Sequence, residues 1–279
     1  MFSPLRRLLK RRVSYLVLSV FAAVGVWTTS SLAVRGFSIW DILPSAVQLI
    51  QLSTMSDEQE VAIGEQINDR LLENDITLYE NSQVNQYVND IGQRLVRVSE
   101  RSDLPFTFQV VRDDSVNAFA TLGGFVYLNT GLIREADNEA ELAGVIAHEI
   151  GHVVERHVLD NLKQAAIAQG VLNAAGVDPN VLVQIGYELA INRPSSRRAE
   201  YEADEVGLSL VRSAGYAPVG MVNFYHNLTS RSSIPEFLST HPNTSDRIVR
   251  LRERIDPETA AQGDGLDEAY YRRQIQPLL

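Results

Sequence analysis

His148-Glu149-Ile150-Gly151-His152 is the stretch that settles how this chain is read. It has the form H-E-x-x-H, and its surroundings are helical. Asn138 and Glu141, three residues apart, have the form of an N-cap followed by an acid that reaches back. Leu142, Val145, Ile146, Ile150 and Val153 then recur at spacings of three and four, which predicts a buried helix running through the motif. Residues four apart share a helix face, so His148 and His152 point the same way. Two neutral imidazoles so placed can hold one zinc ion, and Glu149 beside them can reach a water on that ion. The competing reading is two ordinary histidines on a helix, and a third ligand would decide between the two.

The chain offers one. A later helix is predicted to start at Pro194-Ser195-Ser196 and to stop at Gly215, a C-cap glycine. On it Glu200 and Asp204 are four apart and share a face. Catalytic zinc commonly takes two histidines and a carboxylate, with the fourth position left open. Glu200 can be that carboxylate, and Asp204 can accept the spare N–H of a ligand histidine, fixing its ring and tautomer. Glu202, between them, reads as an exposed charge. The same pattern also describes a solvated helix face, and it gains its meaning from the upstream motif.

Charge is distributed unevenly. The net charge is −10, yet residues 1–35 carry six basic residues and no acid, leaving −16 on the remainder. Such an acidic body is a poor nucleic-acid binder, because phosphate contacts need a basic surface. There is no cysteine, so disulfides, thiolate ligands and a cysteine nucleophile are excluded. Any metal must be held by histidine and carboxylate.

The basic cluster precedes an apolar run from Val13 to Trp27, followed by Thr28, Thr29, Ser30 and Ser31. This is the layout of an export signal, and Ser31-Leu32-Ala33 resembles a cleavage site. Counted to Val34 the run is also long enough to span a membrane. Residues 1–35 are therefore expected to be a signal peptide or an N-terminal anchor, with the body on the extracytoplasmic side, periplasmic or membrane-anchored. Residues 36–52 form an apolar linker or amphipathic segment.

The body is expected over residues 53–255. Ser56-x-x-Gln59 opens a helix with Ile63, Ile67 and Leu71 on one stripe. A second helix starts near Ser82. Phe106, Phe108 and Val110 alternate as in a strand. Residues 116–121 and 125–129 flank Gly123-Gly124 and predict a hairpin, with Gly131 closing the unit. A free edge here could pair with an extended peptide, although the hairpin could equally serve only the core. After the motif the chain is expected to stay helical through Leu162 and Ala175. It breaks at Gly176 to Pro179 and is helical again over 181–191. Further helices are expected from Pro218 and over 245–255. The tail, 256–279, is polar and expected to be loosely held as far as Tyr270-Tyr271.

Taken together, Glu200-Tyr201-Glu202-Ala203-Asp204 after His148-Glu149-Ile150-Gly151-His152 resembles the gluzincin proteases of peptidase family forty-eight, the family of the CAAX prenyl proteases and HtpX-like proteases. Asn117-Ala118-Phe119-Ala120 looks like the substrate-binding edge strand of gluzincins. Thr240-His241-Pro242 resembles the family's C-terminal His-Pro motif. The resemblance is greatest to the soluble periplasmic branch. It implies an α+β fold, a mostly helical zincin-like domain with a small antiparallel or mixed sheet. It implies one Zn2+ on His148, His152 and Glu200, with Asp204 behind them. Glu149 would be the general base, and His241 a transition-state donor or a guard of the open position. His157, off the motif's face, is read as structural or exposed, and His226, without a supporting motif, as non-functional.

Three functions compete. The first is a zinc endopeptidase acting on misfolded or envelope proteins. The second is a self-inhibited or inactive zinc protein serving as a chaperone or binding module, shut by residues 164–191 or by His241. The third is a zinc hydrolase for small molecules, against which the peptide-ready strand counts.

Overall fold

The computed structural model describes residues 55–170, 178–192, 195–230 and 235–279. The expected signal or anchor, residues 1–35, and the segment 36–52 lie outside the described residues. Among the described residues no helix is long and apolar enough to cross a membrane.

Helix α1 (Asp57–Asn74) opens with a complete capping box, in which Ser56 and Gln59 each bond the other's backbone N–H through their side chains. Asn81 caps α2 (Ser82–Val96) in the same region of the chain. Three short strands follow: β1 (Thr107–Val111), β2 (Ala118–Ala120) and β3 (Phe125–Asn129). They form one mixed sheet in the order β1-β3-β2, with β1 parallel and β2 antiparallel to β3. The β2–β3 reversal runs through Gly123 and Gly124, both at positive φ, where a side chain would be strained. Strand β3 is buried along its whole length. Val126 and Leu128 belong to one apolar cluster, with α2 and the motif helix. Phe125 and Tyr127 belong to the other, with α1 and the helices after the motif. That two-sided burial is why β3 reads as a continuous apolar run. Where Gly131 was expected to close the unit, the chain winds a short helix, α3 (Thr130–Glu135).

The motif helix, α4 (Glu139–Val154), is buried at every residue from Ala140 to Val153. Its side chains are apolar or small almost all round, as a helix through the middle of a core requires. Each fully buried Leu or Ile on it stabilises the fold by about 1.5–3 kcal/mol. Asn138 caps it, but Glu141 accepts from Asp137 N–H rather than from the N-cap residue.

Continuous helix beyond the motif was expected, and the structure corrects this. At Arg156 the backbone turns left-handed (φ 56°) and a new helix, α5 (His157–Ala168), begins at another angle. A non-glycine residue in that region is held there by its surroundings. Here Arg156 bonds Met55 O and pairs with Asp57 at the start of α1. Next come α6 (Pro179–Asn192), α7 (Arg197–Ser213), capped by Ser196 and closed by Gly215, and α8 (Val219–Thr229) after Pro218. A short helix, α9 (Glu236–Thr240), leads into α10 (Thr244–Arg254). Helices α4 and α7 approach backbone to backbone because small residues line their seam: Gly151 faces Ala203, and Gly207 faces Ala147 and His148.

The tail is not loosely held. Asp264 exchanges backbone bonds with Gly215 and Ala217, and Gly265 O accepts Ala140 N–H at the head of the motif helix. Helix α11 (Glu268–Gln274) then sinks Tyr271 fully into the core, where its hydroxyl donates to Ile133 O. The polar composition of this segment concealed a backbone-mediated attachment, which leaves no apolar signature.

The result is the expected α+β architecture, mostly helical with a small mixed sheet.

Candidate metal centre and catalytic cleft

Helix α4 supplies His148, Glu149 and His152, α7 supplies Glu200 and Asp204, and the turn after α9 supplies His241. All six are buried. His148, His152, Glu200 and His241 each direct one ligand atom into a group whose members lie within 4.8 Å of one another. His148 Nε2 and His152 Nε2 are 3.1 Å apart. Two tetrahedral positions at zinc–nitrogen distance would be about 3.3 Å apart, so the pair is spaced for one ion. His241 Nδ1 stands 3.2 Å from His148 Nε2 and 3.3 Å from Glu200 Oε2.

The donor set fits a divalent cation. Both carboxylate oxygens of Glu200 and Oε1 of Glu149 are buried without a hydrogen-bond partner. Arg247 Nη1 lies 2.6 Å from Glu200 Oε2, an ion-pair contact lacking hydrogen-bond geometry. Converging imidazole nitrogens and an undersatisfied carboxylate, with no thiolate, suit zinc.

Asp204 lies behind His148, with Oδ1 3.0 Å from Nδ1. The same carboxylate is gripped by Arg247 through Nε and Nη2, both at 2.7 Å, and accepts from the Tyr225 hydroxyl. Arg247 is fully buried on α10 and lies over the Tyr225 ring, 4.5 Å from its centroid. Sequence reasoning missed Arg247. Its signal was available: Thr244, Arg247, Ile248 and Leu251 form the buried stripe of α10, and an arginine inside an apolar stripe needs a buried partner.

These contacts set the protonation states. Burial and Arg247 both act to lower the His148 pKa, but Asp204 and Glu200 prevail and raise it to about 9. His152 is driven the other way, to about 3, chiefly by burial. Burial opposes charge on Glu200, yet His241, His148 and His152 hold its pKa well below the ordinary range. Asp204 is likewise brought to about 2, against burial, by Arg247. Burial raises Glu149, with His241 and His148 opposing. A raised carboxyl pKa suits a group that must take and return a proton near neutrality.

The centre opens into a cleft of about 330 Å³. Phe119 and Ala120, with Leu189, Ala190 and Ile191 of α6, are among the residues that line it. Of the expected substrate strand, Ala118 to Ala120 form the sheet edge and Asn117 precedes it. Asn117 and Thr121 bond inward to β3, so strand alternation turns Ala118 outward. Its outward groups are already engaged: Asn117 Oδ1 accepts Ala118 N–H, and His241 Nε2 lies 3.4 Å from Ala118 O. Phe119 stacks on Tyr127 at 4.5 Å. His157, read from sequence as structural or exposed, is buried and touches His152, and Glu202, read as exposed, touches His157. His226 is exposed on α8.

The sequence model of Peptidase family M48 matches residues 82–255. Among curated proteins, the beta-barrel assembly-enhancing protease of Escherichia coli strain K12 is 33% identical over 221 residues, covering 73% of this chain and 45% of that protein. Metalloprotease YcaL of the same organism is 27% identical, covering 76% of this chain and 86% of that one. The mitochondrial metalloendopeptidase OMA1 of Schizosaccharomyces pombe is 29% identical, covering 65% and 56%. The chain thus spans under half the length of the beta-barrel assembly-enhancing protease it matches. The matched region runs from α2 to the end of α10 and takes in the motif helix, Glu200, Asp204, His241 and Arg247, and on this evidence the chain belongs to Peptidase family M48, a family of metalloproteases.

Proposed function

We propose that this protein is a zinc-dependent endopeptidase, with one Zn2+ held by His148, His152 and Glu200 and with Glu149 as general base. The observation that carries the reading is the convergence of two imidazole nitrogens and an undersatisfied carboxylate beside a second buried carboxylate. When bound, the ion supplies Lewis acidity, which brings a water's pKa down to about 7. Glu149 would take the water's proton on Oε1, which lies 3.5 Å from His241 Nε2 without a hydrogen bond, and later deliver it to the leaving amine. Asp204 would keep one His148 proton on Nδ1, and the ion would displace the other, so that Nε2 presents its lone pair inward. An extended substrate would lie along Asn117–Ala120, adding to the sheet edge.

A specific observation supports a self-inhibited resting state as the second reading. His241 Nδ1 sits among the ligand atoms, where a scissile carbonyl would need to enter, and its Nε2 faces the outward carbonyl of the edge strand. Substrate would displace both contacts. The names of the relatives, with the basic and apolar N-terminus, support an exported protein acting on misfolded or envelope proteins in quality control.

The test is Glu149→Gln. It should retain one zinc per chain and lose casein cleavage by about 100-fold or more. Normal turnover in that variant would overturn the assignment.

A further inference from the structure

Helical geometry alone separates His157 from His152. Residues five apart on one continuous helix point about 140° away from each other. The left-handed turn at Arg156 ends that helix and swings His157 back onto the motif. His152 Nδ1 and His157 Nδ1 then stand 3.0 Å apart, and both rings are buried. His157 Nε2 is 3.1 Å from Glu202 Oε2. Glu202 is in turn held by Arg198, one helical turn earlier, at 2.7 Å.

Only one arrangement of protons satisfies this row while His152 Nε2 keeps its lone pair for an ion. His152 must carry its proton on Nδ1 and donate it to His157 Nδ1. His157 must then carry its own proton on Nε2 and donate it to the carboxylate of Glu202. No ring nitrogen is left unmatched. His148 has a carboxylate directly behind it, in Asp204, whereas His152 reaches one through a second imidazole.

We infer that His157 is a positioning residue for the metal centre, an imidazole relay that fixes the tautomer and ring angle of His152 and couples it to Glu202 near the surface. The inference rests on the proposed ligand set. A continuous helix would turn His157 away and leave His152 Nδ1–H without this acceptor.

The test measures metal affinity and not activity alone. Cobalt and zinc would be titrated into the full apo chain against a competing chelator, with cobalt followed by its visible absorption. Outer hydrogen-bond partners of ligand histidines typically contribute 10- to 100-fold in affinity. His157→Leu, which removes the acceptor, should therefore weaken binding by about 10- to 100-fold and alter the cobalt spectrum. His157→Asn places an amide oxygen near the former Nδ1 and should recover most of that loss. Glu202→Gln, which keeps an acceptor but removes the charge, should show a smaller loss. Thermal unfolding of the apo variants separates this from packing, because a structural role would lower both His157 variants alike with no difference in metal affinity. Tight wild-type binding matched by His157→Leu overturns the relay alone. A wild-type chain that takes up no metal overturns the centre and the relay with it.

Discussion

A Cβ placed on Gly151 would stand 2.6 Å from the carbonyl oxygen of Ala203. Gly151 is the second variable position of the histidine motif, and Ala203 lies between Glu200 and Asp204. Their contact is what brings the imidazoles of α4 within reach of the carboxylate on α7. Gly151→Ala should push the helices apart, costing about 1–3 kcal/mol of stability. It should also weaken zinc binding without altering a ligand. Gly207→Ala meets its nearest atom, His148 N, at 3.1 Å and should be milder. Urea unfolding and metal titration of both variants would rank them, and the reverse order would contradict the seam's role.

Arg247 neutralises two buried carboxylates, so its removal should matter most when no ion is bound. Arg247→Met should destabilise the apo protein by about 3–5 kcal/mol, because Asp204 and Glu200 lose their buried partner. Saturating zinc should recover part of the loss. Arg247→Lys should not rescue it, since a single ammonium cannot reproduce the two contacts to Asp204. Unfolding curves with and without zinc provide the check, and equal losses in both conditions would contradict it.

Glu141 gives a pH dependence with a definite sign. Burial raises its carboxyl to about 7 in the fold, from an ordinary 4.5. The folded state therefore binds this proton more tightly than the unfolded state. Its contribution is fully present below pH 4.5 and is lost as pH rises through 7. The loss amounts to about 3 kcal/mol. Glu141→Gln keeps an acceptor for Asp137 N–H and should remove this slope, making the variant more stable than wild type at pH 8 and similar at pH 4. Denaturant midpoints at the two pH values test it.

His241 separates the open and closed readings of the cleft. With its ring among the ligand atoms, His241→Ala should raise initial casein cleavage several-fold while leaving zinc bound by His148, His152 and Glu200. A fall in rate with unchanged zinc content would instead assign His241 to transition-state stabilisation.

The motif helix, the sheet and the helix carrying Glu200 were legible because each has a local signature: apolar spacing, alternation around Gly123-Gly124, and a Ser196 cap. Five of the residues nominated around the centre carry motif spacing, His241 came only from the family resemblance, and the structure gathers all six in one place. Arg247 was obscured because Arg250, Arg252 and Arg254 follow it on the same helix. Only its place in the buried stripe distinguishes it. His157 was placed on the wrong face because helical periodicity was extended through Arg156. A left-handed arginine has no sequence signal of its own; it depends on Asp57 and Met55, about a hundred residues earlier. The tail was misjudged because its attachments are backbone bonds, and these are indifferent to side-chain polarity.

The bond from Ala140 N–H to Gly265 O joins the first turn of the histidine helix to a stretch far along the chain. A single cut near residue 262 would release that clasp and unseat Tyr271, although no group in the cleft is touched. The last segment therefore braces the histidine helix from outside the cleft, through groups remote from its chemistry. An affinity handle belongs beyond Leu279, whose side chain is already exposed, and not in place of the residues before it.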